Sequence, residues 1–391
     1  MTQHYDIAII GGGIQGVGVA QAAAAAGYKT ILFEQQQIAS GTSSRSSKLI
    51  HGGLRYLESG QFSLVRKALK ERALLLRLAP DLIKLVPFYI PVYRMTQRSA
   101  WQIRLGLSLY ALLGRFARHA LFKKTTNWSR LGGLSRQGLQ VIYQYWDGQT
   151  DDAAITQAVM QSAMDLGASL RCPARVLSAD FKQDCFSLRV QRERRIEKYT
   201  STVLINAAGP WVNDVLQTVQ PAVPGLAIDL VQGTHIVIKA ASPAGIFYVE
   251  APQDGRAVFI MPWQGKTMVG TTETAYSGDP AKVKPLKNEI QYLQMVYQYY
   301  FPDEPVDIVE SFAGVRVLPG SGHGFFHRPR DTVLYMHENS PNLLCLYGGK
   351  LTSYRATAAE VMDKLAPLLP ETEQKADTAS IPLKPVKKSL C

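Results

Sequence analysis

Residues 41 to 60 read GTSSRSSKLIHGGLRYLESG, where hydroxyls, three closely spaced cations and a Gly-Gly pair surround a single acid, Glu58. Ser43, Ser44, Ser46 and Ser47 offer hydroxyl donors and acceptors, and Arg55 offers a planar fork that suits a phosphate dianion. The chemistry such a set could do is to hold an anion. Just upstream, YDIAIIGGGIQGVGVAQAAAAAGYKTILFEQ runs from a short apolar strand through Gly11-x-Gly13-x-x-Gly16 into an alanine-rich helix, then into a second strand ending at Glu34. Gly11 permits the tight turn, Gly13 lets backbone approach a pyrophosphate at the helix N-terminus, and Gly16 allows close packing, while Glu34 can accept from ribose hydroxyls. The pattern predicts dinucleotide binding, because strand, turn, helix, strand and acid all stand in order.

Flavin and nicotinamide dinucleotides share this cradle, and the rest of the chain favours flavin. STVLINAAGPWVNDVL (201 to 216) reads as a buried strand into a small-residue turn with Gly209. LLCLYGGKLTSYRATAAEVMDKL (343 to 365) reads as a strand, a Gly-Gly turn and a helix start. A helix N-terminus beside such a turn suits the negative charge that develops on a reduced flavin.

Composition sets the frame for these motifs. The chain of 391 residues is long enough for one large or two coupled domains, and its net charge of +12 implies acidic partners. From Leu82 to Trp146 there is no Asp or Glu, and WQIRLGLSLYALLGRFARHALFKK (101 to 124) reads as a basic amphipathic helix. Its aromatics lie with the apolar residues and no nucleic-acid module accompanies the charge, so nucleic acid is not an expected partner. The four cysteines form no C-x-x-C pair and read as reduced thiols of a cytosolic protein. No secretion leader is expected. Asp147, Asp151 and Asp152 in WDGQTDD are expected in a turn and a helix N-cap, and no metal site is expected.

The segments GGGIQGVGVAQAAAAAG, GTSSRSSKLIHGGLRYLE, WDGQTDDAAI, INAAGPWV, VQGTHIVI, MVGTTET, FAGVRVLP and YGGKLTSYR, in this order, resemble the FAD-dependent, quinone-linked glycerol-3-phosphate dehydrogenases. The resemblance runs from about Tyr5 to about Pro385. SSRSSKLIHGGLRYLE and GGKLTSYR are specific to that family, whereas the glycine turn and INAAGPW are shared with the wider amino-acid-oxidase-like flavoproteins. The resemblance implies FAD as cofactor, oxidation of sn-glycerol 3-phosphate to dihydroxyacetone phosphate, and electrons passed to membrane quinone.

Residue by residue, it implies an FAD site of Gly11, Gly13, Gly16, Glu34, Ser43, Ser44, Ser46, Ser47, Gly209, Gly349, Lys350, Leu351 and Thr352. Arg55, Tyr56, Arg316, Lys350 and Thr352 would meet the substrate. His235, in the strand-like VQGTHIVIK, is the candidate base, because imidazole titrates near working pH, and Arg316 could stabilise the alkoxide without a dedicated base. Each charge-assisted hydrogen bond to the phosphate is worth about 1.5 to 3 kcal/mol.

The expected fold is α/β: a Rossmann-like FAD-binding domain of the amino-acid-oxidase-like type with an antiparallel substrate sheet. The FAD domain would comprise 1–80, 147–215 and 305–370, interrupted by a basic helical insertion at 81–146 and a substrate domain at 216–304, with KNEIQYLQMVYQYYF as an amphipathic helix against that sheet. Residues 371–391 would form a polar tail. Family members often continue with a C-terminal helical domain, so this reads as a short form, and a homodimer stays open. Val317 stands where the family often has proline, and Glu273 where aspartate is common. The expected location is cytoplasmic, peripheral on an anionic membrane surface. A glycerol-3-phosphate oxidase using oxygen and a catalytically silent flavoprotein scaffold stay open as alternatives.

Overall fold

The computed structural model describes residues 3–114, 123–125, 131–240, 243–320 and 331–391. Its first sheet grows around Gln3–Ile10, which pairs in parallel with Thr30–Phe33 on one side and Arg195–Asn206 on the other. The C-terminal half of Arg195–Asn206 also pairs in parallel with Ser340–Tyr347, and its N-terminal half closes an antiparallel meander with Cys185–Arg192 and Arg175–Lys182. Helices Ile14–Ala25, Asp152–Asp165 and Tyr354–Leu365 cover one face. Ile14–Ala25 is apolar all round because it lies under two other helices; alanine and glycine let them approach.

The second sheet is built on Ile228–Ile238, which pairs antiparallel with both Lys266–Gly270 and Ile308–Pro319. It continues through Ala257–Trp263, Ile246–Glu250, Ile83–Tyr93 and Leu139–Thr150. Alternation assigns its faces: Tyr89, Phe247, Ile236 and Ile260 meet Leu293, Val296, Tyr297 and Tyr300 of helix Lys287–Tyr300. Phe88, Ile90, Val237 and Met268 turn the other way, onto helices Phe62–Leu78 and Ala100–Leu113.

Several expectations are corrected here. Among the described residues of the basic segment 81–146 strand outweighs helix: Ile83–Tyr93 and Leu139–Thr150 extend the substrate sheet, and Ala100–Leu113 is helix. Pro87 and Pro91 and the run of cations hid the strand character, since proline reads as a strand breaker. The expected helix to residue 124 ends at Leu113; 115–122 lies outside the described residues, and Lys123–Thr125 pairs with Leu139–Thr150. Ile308–Pro319 and residues 147–150 belong to the second sheet rather than to the FAD-binding layer, while Val219–Gln220 joins the first.

The C-terminal stretch is packed rather than a free polar tail. Leu383 is buried, and backbone N–H groups of Lys375 and Leu383 donate to Ala25 O and Leu78 O. It ends in a disulfide between Cys172 and Cys391, 219 residues apart, which corrects the reading of all four cysteines as thiols. Cys185 and Cys345 are free, and burial pushes the Cys345 thiol up to about 12.

Asp147 is no turn residue: it lies on Leu139–Thr150, buried, paired with the fully buried Arg72. Its other carboxylate oxygen accepts from Tyr110 Oη at 2.7 Å, and that oxygen in turn accepts from Gly52 N–H at 2.8 Å. A chain of hydrogen bonds thus runs from the core to the loop that carries Arg55. Replacing Asp147 with Ala strands a buried guanidinium, and an ion pair broken this way costs about 3–5 kcal/mol. The expected result is a lower midpoint in urea unfolding; an unchanged midpoint would contradict this account.

Candidate functional site

The turn after the first strand sets the cradle. Gly11 has φ +111°, and a Cβ on Gly16 would lie 1.9 Å from Gly11 O, so the turn closes directly on helix Ile14–Ala25. Gly16 therefore packs and does not line the cavity in front of the helix, an elongated space of about 560 Å³ walled by Gly11, Gly13, Glu34, Gly209, Gly349 and Leu351 among others. Glu34 accepts from Gly12 N–H and Gln36 N–H, each at 2.7 Å; burial raises its carboxyl while these amide donors hold it down. Backbone donors at a helix N-terminus and an acid at the strand end are the set that a dinucleotide's pyrophosphate and ribose require.

The serine loop is organised by a buried ion pair. Lys48 Nζ donates to Asp152 Oδ1 at 2.6 Å and to Ser44 O at 2.5 Å, and Asp152 Oδ2 accepts from Ser46 N–H at 2.9 Å. Asp151, one residue earlier, caps helix Asp152–Asp165 as expected, but Asp152 is the loop's anchor. Ser43 Oγ accepts from Ile14 N–H at 2.9 Å, and Ser46 and Ser47 line the cavity. Ser44 differs from the other three: its hydroxyl donates to Gly41 O at 3.2 Å, its carbonyl accepts from Lys48 Nζ, and it is not on the cavity wall. The loop is also pinned to the second sheet, Thr42 Oγ1 donating to Val315 O and Arg45 Nη1 to Ala313 O.

At the far end of the cavity, cations converge. Arg316, on Ile308–Pro319, donates to Glu273 Oε1 at 3.0 Å and to Thr271 Oγ1 at 3.3 Å. Arg256 Nη2 lies 3.0 Å from Glu273 Oε2, and Arg55 Nη2 lies 3.9 Å from Oε1. Tyr56, on the short turn Leu54–Leu57, carries Lys350 Nζ over its ring at 4.2 Å from the centroid. Thr352 is nearly buried, and its Oγ1 accepts from His51 N–H at 3.1 Å, tying the Gly-Gly turn to the Arg55 loop. Three arginines around one carboxylate, with Lys350 on the same cavity wall, leave an excess of positive charge that an incoming dianion would offset.

His235 sits on Ile228–Ile238 beside this cluster, stacked on Phe312 at 5.0 Å, with Nε2 3.0 Å from Ser47 Oγ and Nδ1 buried without a hydrogen-bond partner. Burial, then the Arg316 and Lys48 charges, lowers its pKa to about 3, so the ring is neutral. His51, half-buried on the cavity wall, is shifted down mainly by desolvation. The structure thus gathers Arg55, Tyr56, Arg316, Lys350, Thr352 and His235 around one cavity. Arg256, His51 and the Lys48–Asp152 pair were not found from sequence. Arg256 follows Asp254-Gly255, a turn signal in which an arginine reads as solvated.

Comparison with known proteins is consistent with this geometry. A family model described as "DAO: FAD dependent oxidoreductase" matches residues 6–355. Glycerol-3-phosphate dehydrogenase of Pseudomonas aeruginosa is 38% identical over 376 residues, covering 94% of this chain and 72% of that one. D-erythritol 1-phosphate dehydrogenase of Brucella abortus is 36% identical, covering 94% and 74%. Among solved structures, the glycerol-3-phosphate dehydrogenase of Bacillus halodurans complexed with FAD aligns with a TM-score of 0.75 at 26% identity, covering 97% of this chain and 68% of that one.

A histidine held neutral in the folded state makes stability pH-dependent. The unfolded chain takes up a proton near 6.5 that folded His235 refuses until about 3, so stability is intact above 6.5 and falls as pH drops through that window. The slope from one such group reaches about 1.4 kcal/mol per pH unit. Unfolding midpoints of wild type and His235→Asn across this range check it: the variant should lose stability less steeply on the acid side, and equal slopes would contradict the burial of a neutral ring.

Proposed function

Because the chain belongs to the FAD-dependent oxidoreductase family, we propose that it oxidises sn-glycerol 3-phosphate to dihydroxyacetone phosphate. The observation that carries this reading is the cluster of Arg55, Arg256 and Arg316 on Glu273, with Lys350 beside it, at one end of a dinucleotide cradle. The relatives named above share, by their names, a polyol bearing one phosphate. A phosphate dianion suits arginine forks, and a secondary alcohol on the next carbon would then lie towards His235.

The residues present fit FAD. The N-terminus of helix Ile14–Ala25 and Ser43 would hold the pyrophosphate, Glu34 the ribose, and the Gly348–Thr352 turn the ring end. FAD, when bound, supplies the acceptor for the hydride that leaves the alcohol carbon. The chain's own part is to bind the phosphate, orient that carbon and take the hydroxyl proton. Neutral His235 is the proposed proton acceptor; a dianion beside Arg316 offsets one of the charges that hold its pKa down, so substrate makes it more basic. Arg316 is proposed to steady the negative charge that grows on the alcohol oxygen.

We further infer that electrons pass to quinone at an anionic membrane surface. Among the described residues no helix is long and apolar enough to cross a membrane. Helix Ala100–Leu113 instead presents Trp101, Leu105 and Leu112 outward, 66%, 60% and 55% exposed, at helical spacing along one face. With the exposed Arg104 beside them and no acid nearby in sequence, this face suits a headgroup interface. The redox and phosphate sites are assembled from one chain, so the chemistry does not require a second copy.

Anaerobic mixing of the holoprotein with sn-glycerol 3-phosphate should bleach the flavin's visible absorbance, while glycerol at equal concentration should not. Bleaching by glycerol alone, or by neither, would overturn the phosphate reading. For the membrane face, sedimentation with anionic vesicles at low salt should carry wild type down and leave a Trp101→Ser, Leu105→Ser, Leu112→Ser variant in solution; equal sedimentation of the two would contradict it.

A further inference from the structure

We propose that Glu289 is a positioning residue for the phosphate-binding arginines, fixing from beneath the Thr271–Thr274 segment on which Arg316 and Arg256 rest. The proposal rests on reading the arginine cluster as the phosphate site. Glu289 lies in the first turn of helix Lys287–Tyr300 and is 4% exposed. As the third helical residue it accepts from Leu286 N–H at 3.1 Å, an ordinary capping role. That role explains one of its bonds and leaves four unexplained.

Those four run to the site. Oε1 accepts from Thr272 Oγ1 and Thr274 Oγ1, each at 2.8 Å, and Oε2 accepts from Gln232 Nε2 at 2.6 Å and Thr234 Oγ1 at 2.7 Å. Thr272 Oγ1 also accepts from Thr234 N–H at 2.9 Å, so the strand that carries His235 and the Thr271–Thr274 segment are stitched together through one carboxylate. The two run so close that a Cβ on Gly233 would lie 2.6 Å from Thr271 Oγ1 and 2.7 Å from Arg316 Nη2. Arg316 takes its bonds from the upper side of this segment: Thr271 Oγ1, Thr272 O and the Glu273 carboxylate. Arg256 is held there too, through Glu273 O and Oε2.

A buried carboxylate with this many donors cannot be replaced isosterically. Glutamine presents an amide N–H₂ to hydroxyls that already donate, and the segment must shift to relieve it. The shift displaces Arg316 and Glu273 together. The FAD cradle stands on the other sheet, so its affinity is expected to stay as it was.

The test compares wild-type and Glu289→Gln holoprotein in inorganic phosphate binding by calorimetry, in KM and kcat for sn-glycerol 3-phosphate, and in FAD dissociation by flavin fluorescence. Glu289→Gln should weaken phosphate and raise KM on the order of tenfold to a hundredfold, with FAD dissociation unchanged. Wild-type phosphate affinity in that variant, even with reduced thermal stability, would overturn the proposal and leave Glu289 a capping residue. Should Glu289→Gln fail to retain FAD, Thr274→Val removes one donor at matched shape. A severalfold loss of phosphate affinity there supports the role, and an unchanged affinity overturns it. Wild-type holoprotein that binds neither phosphate nor the ester would instead overturn the reading of the arginine cluster itself, and this proposal with it.

Discussion

One carboxylate, Glu273, holds Arg55, Arg256 and Arg316 at the end of the cavity, and the rest of the site depends on that arrangement. Like charges at this spacing repel, and their repulsion is strongest where water is partly excluded. Without an internal anion the guanidinium groups would swing apart and lose the geometry that fits a phosphate. Glu273, with only 7% of its side chain exposed, supplies that anion while leaving the cluster positively charged. On the proposed reading, such a site would take a dianion without first having to assemble its ligands, which is the benefit of preorganisation.

The cluster's position follows from how the two sheets meet. The cradle hangs from the first sheet, and the arginines from the second. Between them the serine loop is anchored to the first layer by the Lys48–Asp152 pair and to the second by Thr42 and Arg45. Lys48 thus acts as structure rather than as a phosphate ligand. Because it also lies near His235, the group that shapes the loop helps keep the imidazole neutral. The Arg55 loop is held in the same manner from below, by Tyr110 and Asp147 at Gly52 and by Thr352 at His51.

Local patterns were legible in the sequence. Strand, glycine turn, helix and Glu34 follow one another within a few dozen residues, so spacing alone describes the cradle. Arg316, His235 and Lys350 were placed by resemblance, since a strand arginine and a strand histidine carry no signal of their own. What stayed hidden are pairs that join distant segments: Arg72 with Asp147, Lys48 with Asp152, Arg256 with Glu273, Cys172 with Cys391. Nothing in the composition around either partner names the other. Four serines look alike in sequence, and only the structure sets Ser44, whose hydroxyl donates to Gly41 O, apart from the three on the cavity wall. The basic segment was misread because charge and proline outweighed the alternation of Phe88, Ile90 and Val92 with Tyr89 and Tyr93.

The central claim is that the cluster on Glu273 receives the substrate's phosphate. Its most direct test is a crystal structure of the holoprotein with sn-glycerol 3-phosphate bound, the flavin kept reduced. The account predicts phosphate oxygens within hydrogen-bond reach of at least two of Arg55, Arg256, Arg316 and Lys350, with the alcohol carbon on the His235 side of the cavity. A phosphate seated elsewhere, with Glu273 and its arginines unchanged and untouched, would contradict it.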